Sequence, residues 1–359
     1  MIRDTNLTQG GAGVRERLGN VTGQGVQQTS MDRLLLQSRR RFIGGLATLA
    51  ATPAHALAAG TTTYGILVAG PIGSRTDRWA DILVPAFGRG LASKGTLLRE
   101  NTGGIDGVTG ANQFDARVEP DGTTAMLVPG AAVLSWLVGE RRARFEPARW
   151  VPLWAGLGGV MLFSRTLPKA GRPFTVVASS PAGPELGVLL ALDILGIEVR
   201  LAGPDTYDGA VLVGPSSTMT ATLAAQAGLQ PIMSFGALTA QGTIGRDPDH
   251  PGVPTVSELT RERAPKEILA ALQSAIMTTQ LDVGLVLPAM TSGASVAVWR
   301  RACAAMTTDP TMQRDAARMG VRQPPPDLVA ACTSGIVGNS ETLLTLRRWL
   351  ATRYDWRPA

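Results

Sequence analysis

Four stretches of the sequence place glycine, proline and hydroxyl residues between an apolar run and an amphipathic one. They are GPIGSRTD (70–77), ENTGGIDGVTGA (100–111), VPGAA (128–132) and ASSPAG (178–183), with VGPSS (213–217) as a weaker fifth. Glycine permits close backbone approach, and a helix start presents unpaired N–H groups at the positive end of its dipole. The chemistry such loops support is anion binding. None carries the lysine of the phosphate loop G-x-x-x-x-G-K-[ST]. Gly104, Gly107 and Gly110 also miss the first spacing of the dinucleotide fingerprint G-x-G-x-x-G. A nucleotide phosphate is therefore disfavoured, and a small acid fits better.

Catalysis finds less support in the residue types present. The chain has two His and two Cys, and their positions (His55, His250, Cys303, Cys332) give no metal-ligand spacing. His250 sits in RDPDHPGVP and reads as a solvated surface residue, and His55 falls in a segment expected to be removed. Asp106 and Asp121 lie in loops and could pair as acid and base, but Asp121-Gly122 reads more naturally as turn chemistry. Thr76 as an N-cap with Asp77 on the helix dipole explains both of those residues without catalysis. The two cysteines leave two readings open: a disulfide in an oxidising compartment, or separate buried thiols.

The elements that must carry these loops alternate. Strands are expected at YGILVA (64–69), TLLREN (96–101) and TAMLVPG (124–130). Helices are expected from Asp77 toward Leu91, ended or kinked by Pro85, and over GANQFDARVEP, which stops before Pro120. Residues 151–165 read as one or two strands. FTVVASS, GAVLVGPSS, LQPIMSFGA and DVGLVLPAM supply later strands, with helices between and after them. Strand–helix alternation argues for a parallel α/β sheet. Two groups of such units suggest two lobes with a cleft between them, and ligands in open α/β sheets sit outside the carboxyl ends of strands.

With 359 residues, 44% hydrophobic and 17% charged, the chain can bury a substantial core. The net charge of +6 is spread thinly, and no basic stripe with interleaved aromatics marks a nucleic-acid surface. Residues 31–59 begin with a basic stretch containing Ser38-Arg39-Arg40-Arg41-Phe42-Ile43. An apolar run from Ile43 to Ala51 follows, then small residues in an A-x-A arrangement. This is the layout of an export signal with a twin-arginine motif, and cleavage is expected near residues 56–59. Residues 1–30 read as disordered, or as lying before a true start at Met31. The mature protein is expected in the periplasm, soluble and monomeric.

In order along the chain, Gly70-Pro71, Thr76-Asp77, Glu100-Asn101, Gly107-Val108-Thr109-Gly110-Ala111, Glu119-Pro120-Asp121-Gly122-Thr123 and Pro251 to Glu258 resemble the solute receptors of tripartite tricarboxylate transporters, the Bug family. Gly284-Leu285, Pro288, Asp309-Pro310 and Met319-Gly320-Val321 continue the resemblance toward the C-terminus. It implies a type II, Venus-flytrap binding protein without enzymatic activity or cofactor. Lobe 1 would comprise 60–158 with 245–359, and lobe 2 would comprise 159–244. A small organic carboxylate would be gripped by Gly73, Ser74 and Thr76 together with Gly107, Val108 and Thr109. Pro129, Gly130 and Ala131 would close from another side, as would Ser179, Ser180 and Gly183. Arg75, Asp77, Asp106 and Ser216 complete the candidate set, with Arg75 offering an ion pair. The implied partners are integral-membrane transporter subunits, engaged transiently, or a sensor protein. An exported α/β enzyme and a receptor that senses without transporting are the alternatives. Ile72, Ser74-Arg75, Asp106, Pro129 to Ala132, Glu185 and Gly214-Pro215 depart from the family pattern, so ligand identity does not carry over.

Overall fold

The computed structural model describes residues 62–91, 95–206, 209–215, 217 and 219–358. The expected export signal and Ser216 lie outside the described residues. The first half runs β1 (Thr62–Ala69), α1 (Arg75–Gly90), β2 (Gly95–Thr102), α2 (Val108–Arg117), β3 (Thr124–Pro129), α3 (Gly130–Val138) and β4 (Val151–Gly158). It continues through β5 (Met161–Ser164), β6 (Phe174–Val177), α4 (Leu186–Ile194), β7 (Val199–Ala202), β8 (Val211–Val213), α5 (Ala221–Gln226) and β9 (Gln230–Ser234). A short hairpin of β10 (Ala237–Leu238) and β11 (Ile244–Gly245) leads to α6 (Val256–Thr260), α7 (Lys266–Gln280) and β12 (Leu281–Leu287). The chain ends with α8 (Gly293–Thr307), α9 (Pro310–Arg318), β13 (Val321–Arg322), α10 (Val329–Val337) and α11 (Ser340–Tyr354).

One six-stranded sheet has the order β13-β4-β12-β3-β1-β2. Strands β1, β2 and β3 are parallel, whereas β12 runs antiparallel to both β3 and β4. The sheet is therefore mixed, and the late strand β12 inserts between β3 and β4. Side chains alternate across it as strand geometry requires. Ile66, Val68, Ala125 and Leu127 pack with Trp79 and Trp299, whereas Leu67, Ala69, Met126 and Val128 pack with Phe114 and Leu137. Both faces are covered by helices, which explains why β1 and β3 read as near-continuous apolar runs.

Residues 161–234 build separate sheets: β8-β5-β9, and the parallel pair β6-β7, with a bridge from Val176 to Ala210 linking β6 to the approach of β8. The polypeptide leaves the large sheet at Gly158-Gly159. At Gly158 any side chain would overlap the ring of Pro215. On the return, the Asp247 carboxylate accepts hydrogen bonds from Arg322 on β13 at 2.7 and 3.2 Å. Burial would raise the Asp247 pKa, but Arg322, the Asp249 N–H and nearby His250 outweigh it and lower it.

Some local expectations are corrected and others, left open by the sequence, are resolved. Pro85 does not end its helix: α1 runs on to Gly90, with Pro85 on the exposed side. Residues 151–165 form two strands belonging to different sheets. Val321-Arg322, within a region expected to hold only helices, pairs with β4. Both cysteines are free and buried, and burial pushes their thiols up to about 12 for Cys303 and about 11 for Cys332. Of the two readings of the cysteines, the structure takes the separate thiols.

Trp299 is fully buried, donates from Nε1 to the Gly122 carbonyl at 2.8 Å, and packs against Tyr64 and Phe87. It joins α8 to the start of β3. Trp299→Ala is expected to destabilise the protein by about 3–5 kcal/mol through cavity formation and the orphaned carbonyl, measured by urea denaturation. A loss below about 1 kcal/mol would mean that this packing is not tight.

Candidate binding site

Because β1, β2 and β3 are parallel, their carboxyl ends at Ala69, Thr102 and Pro129 open on one edge of the sheet. The starts of α1, α2 and α3 follow at Arg75, Val108 and Gly130. The antiparallel β12 begins on the same edge, where Val283 pairs with Pro129. Three glycines set how tightly these parts converge. A Cβ on Gly107, which has φ 77°, would lie 2.7 Å from Pro129 Cδ and 3.0 Å from the Ala69 carbonyl oxygen. One on Gly110 would lie 2.7 Å from both the Ala69 Cα and the Thr102 oxygen. One on Gly130 would overlap the Leu281 carbonyl. The ends of β1, β2 and β3 and the end of α7 are thus in contact through bare backbone.

The first loop is held from inside. Ser74, not Thr76, is the N-cap of α1, and its Oγ accepts from the Asp77 N–H at 3.1 Å. Asp77 returns the favour by accepting the Gly73 N–H at 2.7 Å, as in a capping box shifted by one residue. Its other oxygen accepts from Asn101 at 2.7 Å and pairs with Arg99 at 2.9 Å. Asn101 also donates to the Gly70 carbonyl at 3.2 Å, so Asn101 near the end of β2 fastens the loop after β1. Burial alone would raise the Asp77 pKa, yet the Gly73 N–H, Asn101 and Arg99 prevail and hold it below the ordinary range. Thr76 is buried.

Arg75 is engaged within the protein. Its Nε donates to Asp282 at 2.6 Å and a terminal nitrogen to the Met319 carbonyl at 2.7 Å, while Trp79 donates to the other Asp282 oxygen at 2.6 Å. The guanidinium therefore ties α1 to β12 and to the turn before β13. Asp106 likewise has partners: it accepts the Val108 N–H at 3.1 Å and pairs with Arg142 at 2.8 Å. Asp121, the other half of the conceivable acid–base pair, bonds to Thr123. The Gly107 N–H goes to the Gly104 carbonyl.

Of the N–H groups expected to grip an anion, those of Gly73, Gly107 and Val108 are thus already bonded within their loops. A carboxylate reaching Gly73 or Val108 would have to displace Asp77 or Asp106. First-turn helix positions have no intrahelical acceptor. Among the described residues, the N–H groups of Arg75 and Thr76 in α1 and of Thr109 in α2 have no side-chain acceptor. No side chain caps α3, where Gly130 and Ala131 begin the helix after Pro129. Thr109 and Ala131 are exposed.

The fourth loop approaches through α7, which packs against both α3 and α4. Thr278 and Leu281 carbonyls abut Gly130, and the neighbouring Thr279 hydroxyl donates to the Pro184 carbonyl at 3.1 Å. Residues 178–185 therefore sit beside the start of α3. Within them Ser180 Oγ accepts the Ala182 N–H at 3.1 Å and the Ser180 carbonyl accepts from Gly183, while Ser179 is exposed. Nothing in the local sequence marks α7 as the shared support. Nor does it mark Arg99, Asn101 and Asp282, distant along the chain, as the groups that fix the first loop. A surface groove of about 780 Å³, lined by Tyr64, Leu98, Arg99, Glu100, Gln113 and Arg117 among others, contains none of the expected site residues.

An aspartate whose native pKa is lowered stabilises the fold above its unfolded pKa, and that contribution is lost as pH falls through the native value. The wild type should lose stability as the pH drops below about 4. Asp77→Asn should be less stable at neutral pH by about 1–3 kcal/mol and show a shallower acid slope, read by urea denaturation at a series of pH values. Parallel slopes for the two proteins would remove Asp77 from this role.

No protein-family model matches the sequence, and no curated protein matches it. Among solved structures, a TctC solute-binding protein from Polaromonas is similar at a TM-score of 0.56 and 15% identity, over 79% of this chain and 98% of its own. An R. palustris protein solved with adipate gives a TM-score of 0.51 at 14% identity, over 80% of this chain and 97% of that one. The periplasmic binding protein BugD gives 0.50 at 14% identity, over 81% and 97%. The helix starts gathered on one sheet edge thus belong to an α/β chain with the fold of the two-lobed periplasmic solute-binding proteins of the Bug and TctC type.

Proposed function

We propose that this chain is a divergent periplasmic receptor of the tripartite tricarboxylate type, which captures a small organic carboxylate and presents it to a membrane transporter. The observation that carries this reading is the delivery of three helix N-termini to one edge of the sheet. Oriented N–H dipoles hold an anion without a fixed cation that would slow its release. The R. palustris neighbour was solved with adipate, a carboxylate, which supports the same ligand class. Closure of residues 159–244 over the loops of residues 60–158 and 245–359 supplies the remaining contacts, and export is directed by residues 31–59.

The geometry favours binding over catalysis. Asp77 is held as a carboxylate by the Gly73 N–H, Asn101 and Arg99, with its pKa lowered rather than raised as a general acid–base at neutral pH would need, and the Asp106 carboxylate is engaged by Arg142 and the Val108 N–H. Arg75 contributes by fixing the first loop through Asp282 rather than by meeting the ligand.

A thermal-shift screen of organic acids and neutral solutes on the mature protein tests the reading. At a hundredfold excess over Kd a true ligand adds about 2.7 kcal/mol of stability. Stabilisation by a neutral solute alone, with every carboxylate inert, would overturn it.

A further inference from the structure

The first two loops carry matching apolar tips. Ala69 on β1 is paired with Thr102 on β2, and the bases of their loops are tied by the Gly70 N–H donating to the Thr102 carbonyl at 3.0 Å. Three residues beyond each paired position stands an isoleucine: Ile72 in one loop, Ile105 in the other. Ile72 is 82% exposed and Ile105 is 84% exposed. Isolated exposed aliphatics are ordinary on protein surfaces, but these two stand at equivalent points of loops whose bases are tied together, so we read them as two parts of one apolar rim. Neither position helps to hold its loop, because Asp77, Asn101 and Asp106 do that from below.

The fourth loop carries the opposite character. Glu185, at the start of α4, folds its carboxylate back over Gly183, within 3.1 Å of where a Cβ there would lie. No cation pairs with it among the described residues, and burial raises its pKa. Pro184 next to it is fixed to Thr279 at the end of α7, beside Gly130. While Glu185 is ionised, a second carboxylate on the ligand would bring like charge toward this loop, a cost that no cation paired with Glu185 among the described residues offsets.

We infer that the ligand is a monocarboxylate with an apolar body, aliphatic or aromatic, and that Ile72 and Ile105 determine specificity by covering that body. This rests on the carboxylate reading above and narrows it to one class of acid. The carboxylate meets the open helix starts while the hydrocarbon displaces water from the isoleucine rim. Burying a methylene is worth a factor of up to about four in affinity.

Calorimetric titration of the mature protein with straight-chain acids from acetate to octanoate, with benzoate, succinate and citrate alongside, tests the inference. Affinity should climb with chain length by up to about fourfold per methylene until the rim is covered, and succinate and citrate should bind more weakly than monocarboxylates of similar size. The double variant Ile72→Ser, Ile105→Ser should lose the chain-length gain, and Ile72→Leu with Ile105→Leu should keep most of it. Both positions are exposed, so the melting temperature of each unliganded variant should match the wild type, which separates a binding effect from a folding one. Tighter binding of citrate or succinate than of any monocarboxylate would overturn the inference and leave the receptor reading intact. A chain-length gain unchanged in the serine variant would do the same. Failure of every acid to bind would overturn both.

Discussion

The close approach of α2 to the end of β1 is the constraint on which the binding edge depends. Gly107 and Gly110 let the helix backbone rest directly on Ala69, Thr102 and Pro129, at distances that exclude any side chain. Parallel pairing of β1 with β2 and β3 already brings three carboxyl ends together. Without the two glycines the second helix start would stand off from the other two, and the N–H groups would not converge. The left-handed φ of 77° at Gly107 is part of the same requirement, since it turns the loop into the helix within one residue.

Around that contact the protein uses its own charges to fix loops. Asp77 with Arg99 and Asn101 links α1 to β2, Arg75 with Asp282 links α1 to β12, and Asp106 pairs with the more exposed Arg142 at the second loop. Each ion is matched by a partner or by backbone, as groups withdrawn from water must be. The consequence is a preorganised edge whose remaining polarity is mainly backbone dipoles. Dipoles suit reversible capture, because they attract an anion while retaining no net charge of their own. Glu185 has no cationic partner among the described residues, on a loop that meets the end of α7 through Pro184 and Thr279.

Some of this was legible from residue types. Strands β1, β2 and β3 announced themselves as apolar or β-prone runs, and the glycine-rich junctions after them marked the loops. Other features were not. Pro85 reads as a helix end, but it falls on the exposed side of α1, where packing of Trp79, Leu83 and Phe87 carries the helix past it. Thr76 reads as the cap, but Ser74 takes that place because Asp77 reaches back to Gly73. Val321-Arg322 is too short to signal a strand, and its pairing with β4 exists only once the sheet has formed.

The sequence by itself determined the main strands and helices and where backbone could lie bare, because periodicity and glycine act locally. Only the tertiary structure decided what each charged residue does. Arg75 lies in the loop expected to hold an anion, yet Asp282, distant in sequence, is brought within 2.6 Å of it by the antiparallel insertion of β12. The strength of an ion pair depends on separation and burial, and neither is encoded near the residue itself.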